Sequence, residues 1–197
     1  MGLWYPSRVT RATGLPAELE ADRARLKEIL LERSIRFGDF TLSSGLKSKY
    51  YADVRQTSLH PEGAVLIARL LDPILLEYGA RAVGGLTLGA DPIVGALLTW
   101  TEIQGRGLPG FIVRKSEKAY GTARRIEGPF DKKLPAAIVD DVITKGGSAL
   151  AACEAVREAG GAVCVVACVV DRNEGGAEEF KSRGVPFRSI FQIREFL

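Results

Sequence analysis

The chain has 197 residues, 46% of them hydrophobic and 26% charged, and 27 Lys/Arg against 24 Asp/Glu give a formal net charge of +3. That balance fits one globular domain (1–197) with a substantial core and excludes a disordered or fibrous chain. A surplus of three charges implies no nucleic-acid partner, yet residues 114–133 hold seven Lys/Arg and three Asp/Glu, a local basic patch better matched to a compact polyanion than to a duplex.

Met1 to Arg11 has no apolar run of signal-peptide length, and no stretch approaches eighteen uninterrupted apolar residues. A soluble, cytoplasmic protein without membrane contact is expected. From Pro16 to Ile35, Leu19, Leu26, Ile29 and Leu30 recur at helical spacing among charges, with Pro16 suited to a first helical position. Between Gly38 and Arg55, strand-like runs at Phe40 and Leu42 and at Tyr50, Tyr51 and Val54 flank the polar connection Ser43 to Ser48. An antiparallel hairpin is expected there, within a small amino-terminal hood at about 16–60. A second helix, Pro61 to Tyr78, carries Val65, Leu66, Ala68, Leu70, Ile74 and Leu75 and stops at Gly79. His60, the single histidine, precedes Pro61, which suits the start of that helix better than catalysis.

Beyond Gly79, strand and helix patterns alternate: Arg81 to Leu88, Asp91 to Ile103, Gly110 to Arg114, Ala136 to Asp140, Ser148 to Ala159, Ala162 to Val170, Glu174 to Arg183 and Phe187 to Ile193. Such alternation predicts an α/β fold, a central parallel sheet flanked by helices. Three cysteines, Cys153, Cys164 and Cys168, have neither the spacing of a zinc site nor the even count of a disulfide framework, and read as small buried hydrophobes in a reducing compartment. Trp4 and Trp100 read as packing residues.

The chemistry concentrates in Ala136 to Ser148. An apolar strand runs into Asp140 and Asp141, which places two acceptor-only groups in the crevice where open α/β sheets bind ligands. Vicinal sugar hydroxyls suit such a pair. Val142, Ile143, Thr144, Lys145, Gly146, Gly147 and Ser148 then lead into a helix, and main-chain N–H groups of a small-residue turn there can converge on a phosphate. A Walker A loop places its Lys directly after Gly and has no terminal Asp pair on the strand, so nucleoside triphosphate hydrolysis is disfavoured. The stretch Arg114 to Gly128 is long and polar for a connection inside a compact domain. With Arg114, Lys115 and Lys118 beside a phosphate cradle, it reads as a lid at about 115–130 that neutralises a departing anion and excludes water. Two further strand ends bear on the same edge. Gly85 to Pro92 forms a Gly-bearing strand-to-helix turn in which main-chain N–H groups meet an anion or Asp91 merely caps the helix. Asp171 and Arg172 follow a strand of Val, Ala and Cys, with Arg172 either paired to Asp171 or free to grip a planar anion in bidentate fashion.

The pattern at Asp140 to Ser148 resembles the motif with which type I phosphoribosyltransferases bind 5-phosphoribosyl 1-diphosphate (PRPP). With Phe40 to Gly45, Tyr50 and Tyr51, the Arg114 to Lys118 lid and Asp171-Arg172, the resemblance narrows to the orotate phosphoribosyltransferase family and runs from about Ile29 to the end. It implies the type I phosphoribosyltransferase fold with five parallel strands and a hood. It also implies transfer of the phosphoribosyl group of PRPP to orotate with Mg²⁺, giving orotidine 5′-monophosphate and pyrophosphate in pyrimidine synthesis. A homodimer that shares its lid across subunits comes with it. By position, Lys118 and Asp141 would be catalytic, Asp140 and Asp141 would hold the ribose hydroxyls, and Val142 to Ser148 would wrap the 5-phosphate. Arg114, Lys115, Lys118, Tyr120, Leu88 and Gly89 would complete the PRPP site, with a non-proline cis peptide between Leu88 and Gly89. Tyr51, Ala52, Thr144 and Arg172 would meet orotate, and the metal would be held mainly by PRPP.

The chain departs from that pattern at three positions. Many members carry lysine where Ser43 and Gly89 stand and histidine where Tyr120 stands, so Lys47, Lys49 or main-chain amides are expected to substitute. Two alternatives stay open: a phosphoribosyltransferase of purine or uracil salvage, against which the hairpin and Arg172 argue, and a PRPP-sensing transcriptional regulator, against which the Lys-bearing lid argues.

Overall fold

The computed structural model describes residues 17–41, 47–115 and 125–197. Trp4, Ser43, Lys118 and Tyr120 lie outside the described residues, as do most of the hairpin turn and of the lid. Helix α1 (Ala17–Arg33) has Glu18 and Glu20 in its first turn and Arg33 in its last, which complements the helix dipole, and it buries Leu26, Ile29 and Leu30. Ser34 N–H donates to Leu30 O at 2.9 Å and the chain passes directly into β1 (Ile35–Thr41). The hairpin therefore starts three residues before the Gly38 expected from sequence. Its partner β2 (Lys47–Ala52) runs antiparallel, with Ile35 opposite Ala52 and an irregularity between Phe37 and Phe40.

A one-turn helix, α2 (Arg55–Ser58), follows; four residues are too few to show a periodicity, and the sequence reading missed it. Helix α3 (Pro61–Glu77) begins as expected, with His60 at the N-cap, Pro61 in the first turn, and Gly79 at φ +68° beyond its end. Ion pairs Arg25–Glu62 (2.7 Å) and Arg69–Asp22 (2.7 Å) tie α1 to α3.

The remaining chain builds β3 (Ala82–Leu86), α4 (Asp91–Ile103), β4 (Gly110–Val113), β5 (Ile126–Glu127), β6 (Ala136–Ile143), α5 (Gly147–Glu158), β7 (Val163–Asp171), α6 (Gly176–Ser182) and β8 (Phe187–Gln192). Among the described residues the large sheet has the order β5-β4-β3-β6-β7-β8. Five strands are parallel, and β5 pairs antiparallel with β4 at the edge. That edge strand is an addition to the five expected; two residues carry no alternation that would announce it.

Both faces of the sheet are covered, which is why its strands read as continuous apolar runs. Val83, Val139, Val165 and Ala167 face a core shared with Leu66, Leu71, Ile93 and Leu97 of α3 and α4. Phe111, Ile138, Val166 and Cys168 face the other, with Leu150, Cys153 and Phe180 of α5 and α6. The three cysteines are free thiols. Burial pushes the Cys153 thiol up to about 11 and raises those of Cys168 and Cys164, so all three stay protonated and inert as packing groups.

Strand β3 packs closest where it leaves the sheet. A Cβ added at Gly85 would stand 2.2 Å from the Val139 carbonyl oxygen and 2.4 Å from the Ala90 methyl, so β6 and the start of α4 approach a residue with no side chain. Gly95, inside α4, has nothing within 4 Å of the same added atom. Gly85→Ala is expected to destabilise the fold by about 1–3 kcal/mol through overpacking. Gly95→Ala should stabilise it by roughly 0.5–1 kcal/mol through helix propensity and reduced unfolded-chain entropy. Urea unfolding of the two variants against the parent checks both signs.

Candidate active site

The parallel strands β3, β4, β6 and β7 deliver their carboxyl ends to one edge of the sheet, and a cleft of about 290 Å³ opens there. Its floor is Asp140, Asp141 and Val142 of β6 with Ser148 of α5. One wall is Leu86 to Gly89 at the end of β3, another is Lys115 beyond β4, and the third is Ala52, Asp53 and Arg55 where the hairpin passes into α2.

Strand β6 reaches three residues past the expected end at Asp140, because Val142 and Ile143 continue its ladder to β7, opposite Val170 and Asp171. The two carboxylates therefore stand on paired strand rather than in a turn. Asp140 is 5% exposed and its Oδ1 accepts from Asp141 N–H at 3.0 Å, while Asp141 Oδ1 accepts from Val142 N–H at 2.9 Å. Burial above all, and then the neighbouring Asp141 charge, hold the Asp140 carboxyl well above the usual carboxylate range. Beyond the strand, Gly146 adopts φ +80° as N-cap of α5 with no side-chain cap, so the first-turn N–H groups of α5 are offered to a ligand at the cleft floor.

At the end of β3 the Thr87 hydroxyl donates to Asp91 Oδ2 at 2.6 Å. Asp91 is thus a brace for the loop and not the expected helix cap; the N-cap is Ala90. The non-proline cis peptide lies between Thr87 and Leu88, one bond before the position expected, since a matched pattern locates a loop more securely than any one of its peptide units. Gly89 lies so near the floor that a Cβ there would stand 2.4 Å from Asp141 Oδ1 and 3.1 Å from Asp140 Oδ1. A side chain at this position would have to displace the Asp141 carboxylate.

The cleft thus brings together Leu88, Gly89, Lys115, Asp140, Asp141, Val142 and Ser148 of the expected PRPP residues, and Ala52 of the orotate residues. Others stand back from it. Arg114 pairs with Glu127 on β5 at 3.4 Å, and Ile143 is buried in the core beneath α5. Thr144 accepts from Gly176 N–H through its carbonyl at 3.0 Å, while Lys145 and Gly147 are exposed beside the buried Gly146. Tyr51 is half-exposed on the hairpin, its ring 5.8 Å from that of Phe40. Arg172 pairs with Glu174 at 2.7 Å, donates through Nε to the Tyr50 hydroxyl at 3.1 Å and stacks over the Tyr50 ring at 4.9 Å. It is therefore not paired with Asp171, which accepts from Asn173 instead. Lys49 is drawn to Asp39 at 2.5 Å on the hairpin and does not line the cleft.

Sequence reasoning missed Asp53 and Arg55. Their one signal in sequence is an acidic and a basic residue two apart just after the hairpin, a pairing common on any polar surface. Among the described residues no cluster of three or more His, Cys, Asp or Glu could hold a metal ion, and no helix is long and apolar enough to cross a membrane.

No family model matches the chain. Curated relatives do. The chain is 44% identical over 181 residues to an orotate phosphoribosyltransferase of Bradyrhizobium sp. (strain BTAi1), an alignment covering 90% of this chain and 98% of the relative. Among solved structures, Mycobacterium tuberculosis orotate phosphoribosyltransferase in complex with Fe(III) dicitrate superposes with a TM-score of 0.79 at 41% identity, covering 88% of this chain and 98% of that one. The same enzyme in complex with PRPP gives 0.75 at 38%, with 88% and 98% covered. The fold is that of the type I phosphoribosyltransferases.

The buried carboxyl has a measurable consequence. A carboxyl whose folded pKa exceeds its unfolded one binds more protons in the native state, so its cost to stability is present at neutral pH and fades as pH falls toward the unfolded value. Asp140→Asn keeps an acceptor for Asp141 N–H and removes the charge. In metal-free buffer it is expected to raise the urea midpoint at pH 7, with the gain over the parent shrinking toward pH 4; a constant gain across that range would contradict the assignment.

Proposed function

The chain belongs to the orotate phosphoribosyltransferases, and we propose that it transfers the phosphoribosyl group of PRPP to orotate, giving orotidine 5′-monophosphate and pyrophosphate on the route to UMP. One observation carries this reading beyond family membership. The cleft unites the Asp140–Asp141 pair, the Thr87–Gly89 loop with Lys115, and Ser148 at the start of α5, groups suited in turn to sugar hydroxyls, diphosphate and 5-phosphate.

In this reading Asp140 and Asp141 hold the ribose 2′ and 3′ hydroxyls, acceptor to donor, and the N–H groups from Val142 to Ser148 receive the 5-phosphate. Leu88 and Gly89 of the loop, with Arg114 and Lys115, take the diphosphate, and Lys118 and Tyr120 close over it from the lid. The C1–oxygen bond to diphosphate breaks as a nitrogen of orotate bonds to C1 with inversion. The electron pair leaves on pyrophosphate, whose charge Lys115 and Lys118 neutralise as it develops. The attacking nitrogen of orotate releases its proton as the new bond forms, and the departing pyrophosphate, a basic polyanion, accepts it, in keeping with His60 at a helix cap. Ala52 and Tyr51 flank the base from the hairpin, with Thr144 and Arg172 on the far side. Mg²⁺ would be held chiefly by PRPP and would supply charge neutralisation of the diphosphate.

The proposal extends to organisation. Residues 1–197 act as one domain, about 16–60 as a hood and about 115–130 as a lid. Two chains form a cytoplasmic homodimer in which each lid serves the other's site.

The deciding assay follows the fall in orotate absorbance on adding PRPP and Mg²⁺, with hypoxanthine, adenine and uracil as competing bases. Consumption of orotate alone is expected, and turnover of another base with silence on orotate would move the chain to salvage chemistry. Lys118→Ala should lower kcat about 100-fold, the cost of one lost donor to developing charge. Its KM for PRPP should stay within about threefold, the signature of an interaction made in the transition state.

A further inference from the structure

We propose that Arg55, which no motif assigns, is a substrate-binding residue that grips the diphosphate of PRPP, and that Asp53 is the residue that positions it. The inference rests on the reading above. It begins with rigidity: Asp53 N–H donates to Ser34 O at 2.9 Å, Ser58 N–H to Val54 O at 2.8 Å, and the Ser34 and Thr57 hydroxyls meet at 2.6 Å. Val54 and Thr57 are fully buried, so α2 is clamped onto the start of the hairpin and presents Arg55 from a fixed backbone.

The side chain is then aimed. Arg55 Nε donates to Asp53 Oδ1 at 2.8 Å, and Gln56 Nε2 approaches Asp53 Oδ2 at 3.4 Å. Partial burial pushes the Asp53 carboxyl up, but hydrogen bonds from Arg55 and Gln56 win and hold it below the usual range, so it remains a charged anchor. The two Nη atoms make no hydrogen bond to the described residues. Both Asp53 and Arg55 line the cleft, as do Lys115 and the Thr87–Gly89 loop. Arg55 also feels the charge of Asp141 across the cleft.

Charge and shape select the ligand. Among the described residues Arg55 and Lys115 are the two cations lining the cleft, one in α2 and the other beyond β4, and Leu88 and Gly89 line the same cleft. Two cations from separate elements suit a group with several negative charges spread over two phosphorus centres, and a guanidinium meets phosphate oxygens in bidentate fashion. The orotate carboxylate carries one charge, and the proposed function gives it Arg172 as partner.

The test pairs calorimetry with steady-state kinetics on the full chain. Inorganic pyrophosphate with Mg²⁺ is titrated into the parent and into Arg55→Gln, Arg55→Lys and Asp53→Asn; unchanged thermal midpoints for the Arg55 variants establish that they fold, as a half-exposed side chain predicts. Arg55→Gln is expected to weaken pyrophosphate binding roughly 10- to 100-fold, the span of a charged hydrogen bond. The KM for PRPP should rise in step while the KM for orotate stays within about twofold. Arg55→Lys should recover part of the loss, and Asp53→Asn should lose affinity in the same direction but less. Unchanged pyrophosphate affinity in Arg55→Gln, or a rise in KM confined to orotate, overturns the proposal. A parent that binds pyrophosphate but does not consume orotate would overturn the proposed function and leave this assignment standing.

Discussion

The arrangement depends on one costly placement, a carboxylate 95% withdrawn from water on a strand of Ala, Ile and Val. A buried charge without a cationic partner is tolerated only if it moves toward neutrality or is hydrogen-bonded, and Asp140 does both, with a raised pKa and the Asp141 N–H as donor. No described cation pairs with it. A fold that carries such a group unpaired holds its binding partner in reserve, and a ribose diol is a neutral donor that satisfies it without further charge. The unfavourable local energetics and the proposed function are thus two aspects of one feature.

The rest of the cleft follows from that floor. Strand β6 can hold Asp140 so deep because β3 and β7 flank it and helices cover both sheet faces. The price of that depth is crowding at Gly89, where the loop from β3 comes down on the Asp pair with no room for a methyl group. Thr87 bonded to Asp91 fixes the loop from behind, so this wall of the cleft is braced from the helix side.

Much of this was legible in sequence because the signals are local. The alternation of apolar runs with amphipathic segments located the sheet, α4 to the residue, and the helices on either side, and two adjacent carboxylates after an apolar run marked the floor. What escaped has identifiable causes. Strand β5 and helix α2 each span about one period, too few residues for a repeat to show. The two-residue extension of the Asp pair into paired strand depends on β7, a neighbour that a single segment does not reveal. Arg55 escaped for a related reason: a cation in a polar stretch is ordinary until tertiary structure turns it toward a cleft, and only the placement of α2 against Ser34 does that.

Arg172 shows how the two ends of the chain are coupled. It leaves the end of β7, yet its side chain is spent on the hairpin, over the Tyr50 ring and against its hydroxyl, with Glu174 completing the set. A guanidinium held this way is largely desolvated and oriented, so moving it onto a ligand requires breaking an ion pair with a 2.7 Å contact and shifting it from an aromatic face. The same contact locates the hairpin over the sheet edge. Any role for Arg172 toward the base is therefore bound to the position of β1 and β2, and the carboxylate of an arriving base would compete with Glu174 for one guanidinium. The Arg172 contacts and the seating of the hairpin are in this way one arrangement, whereas Arg55 leaves a backbone anchored on buried Val54 and Thr57.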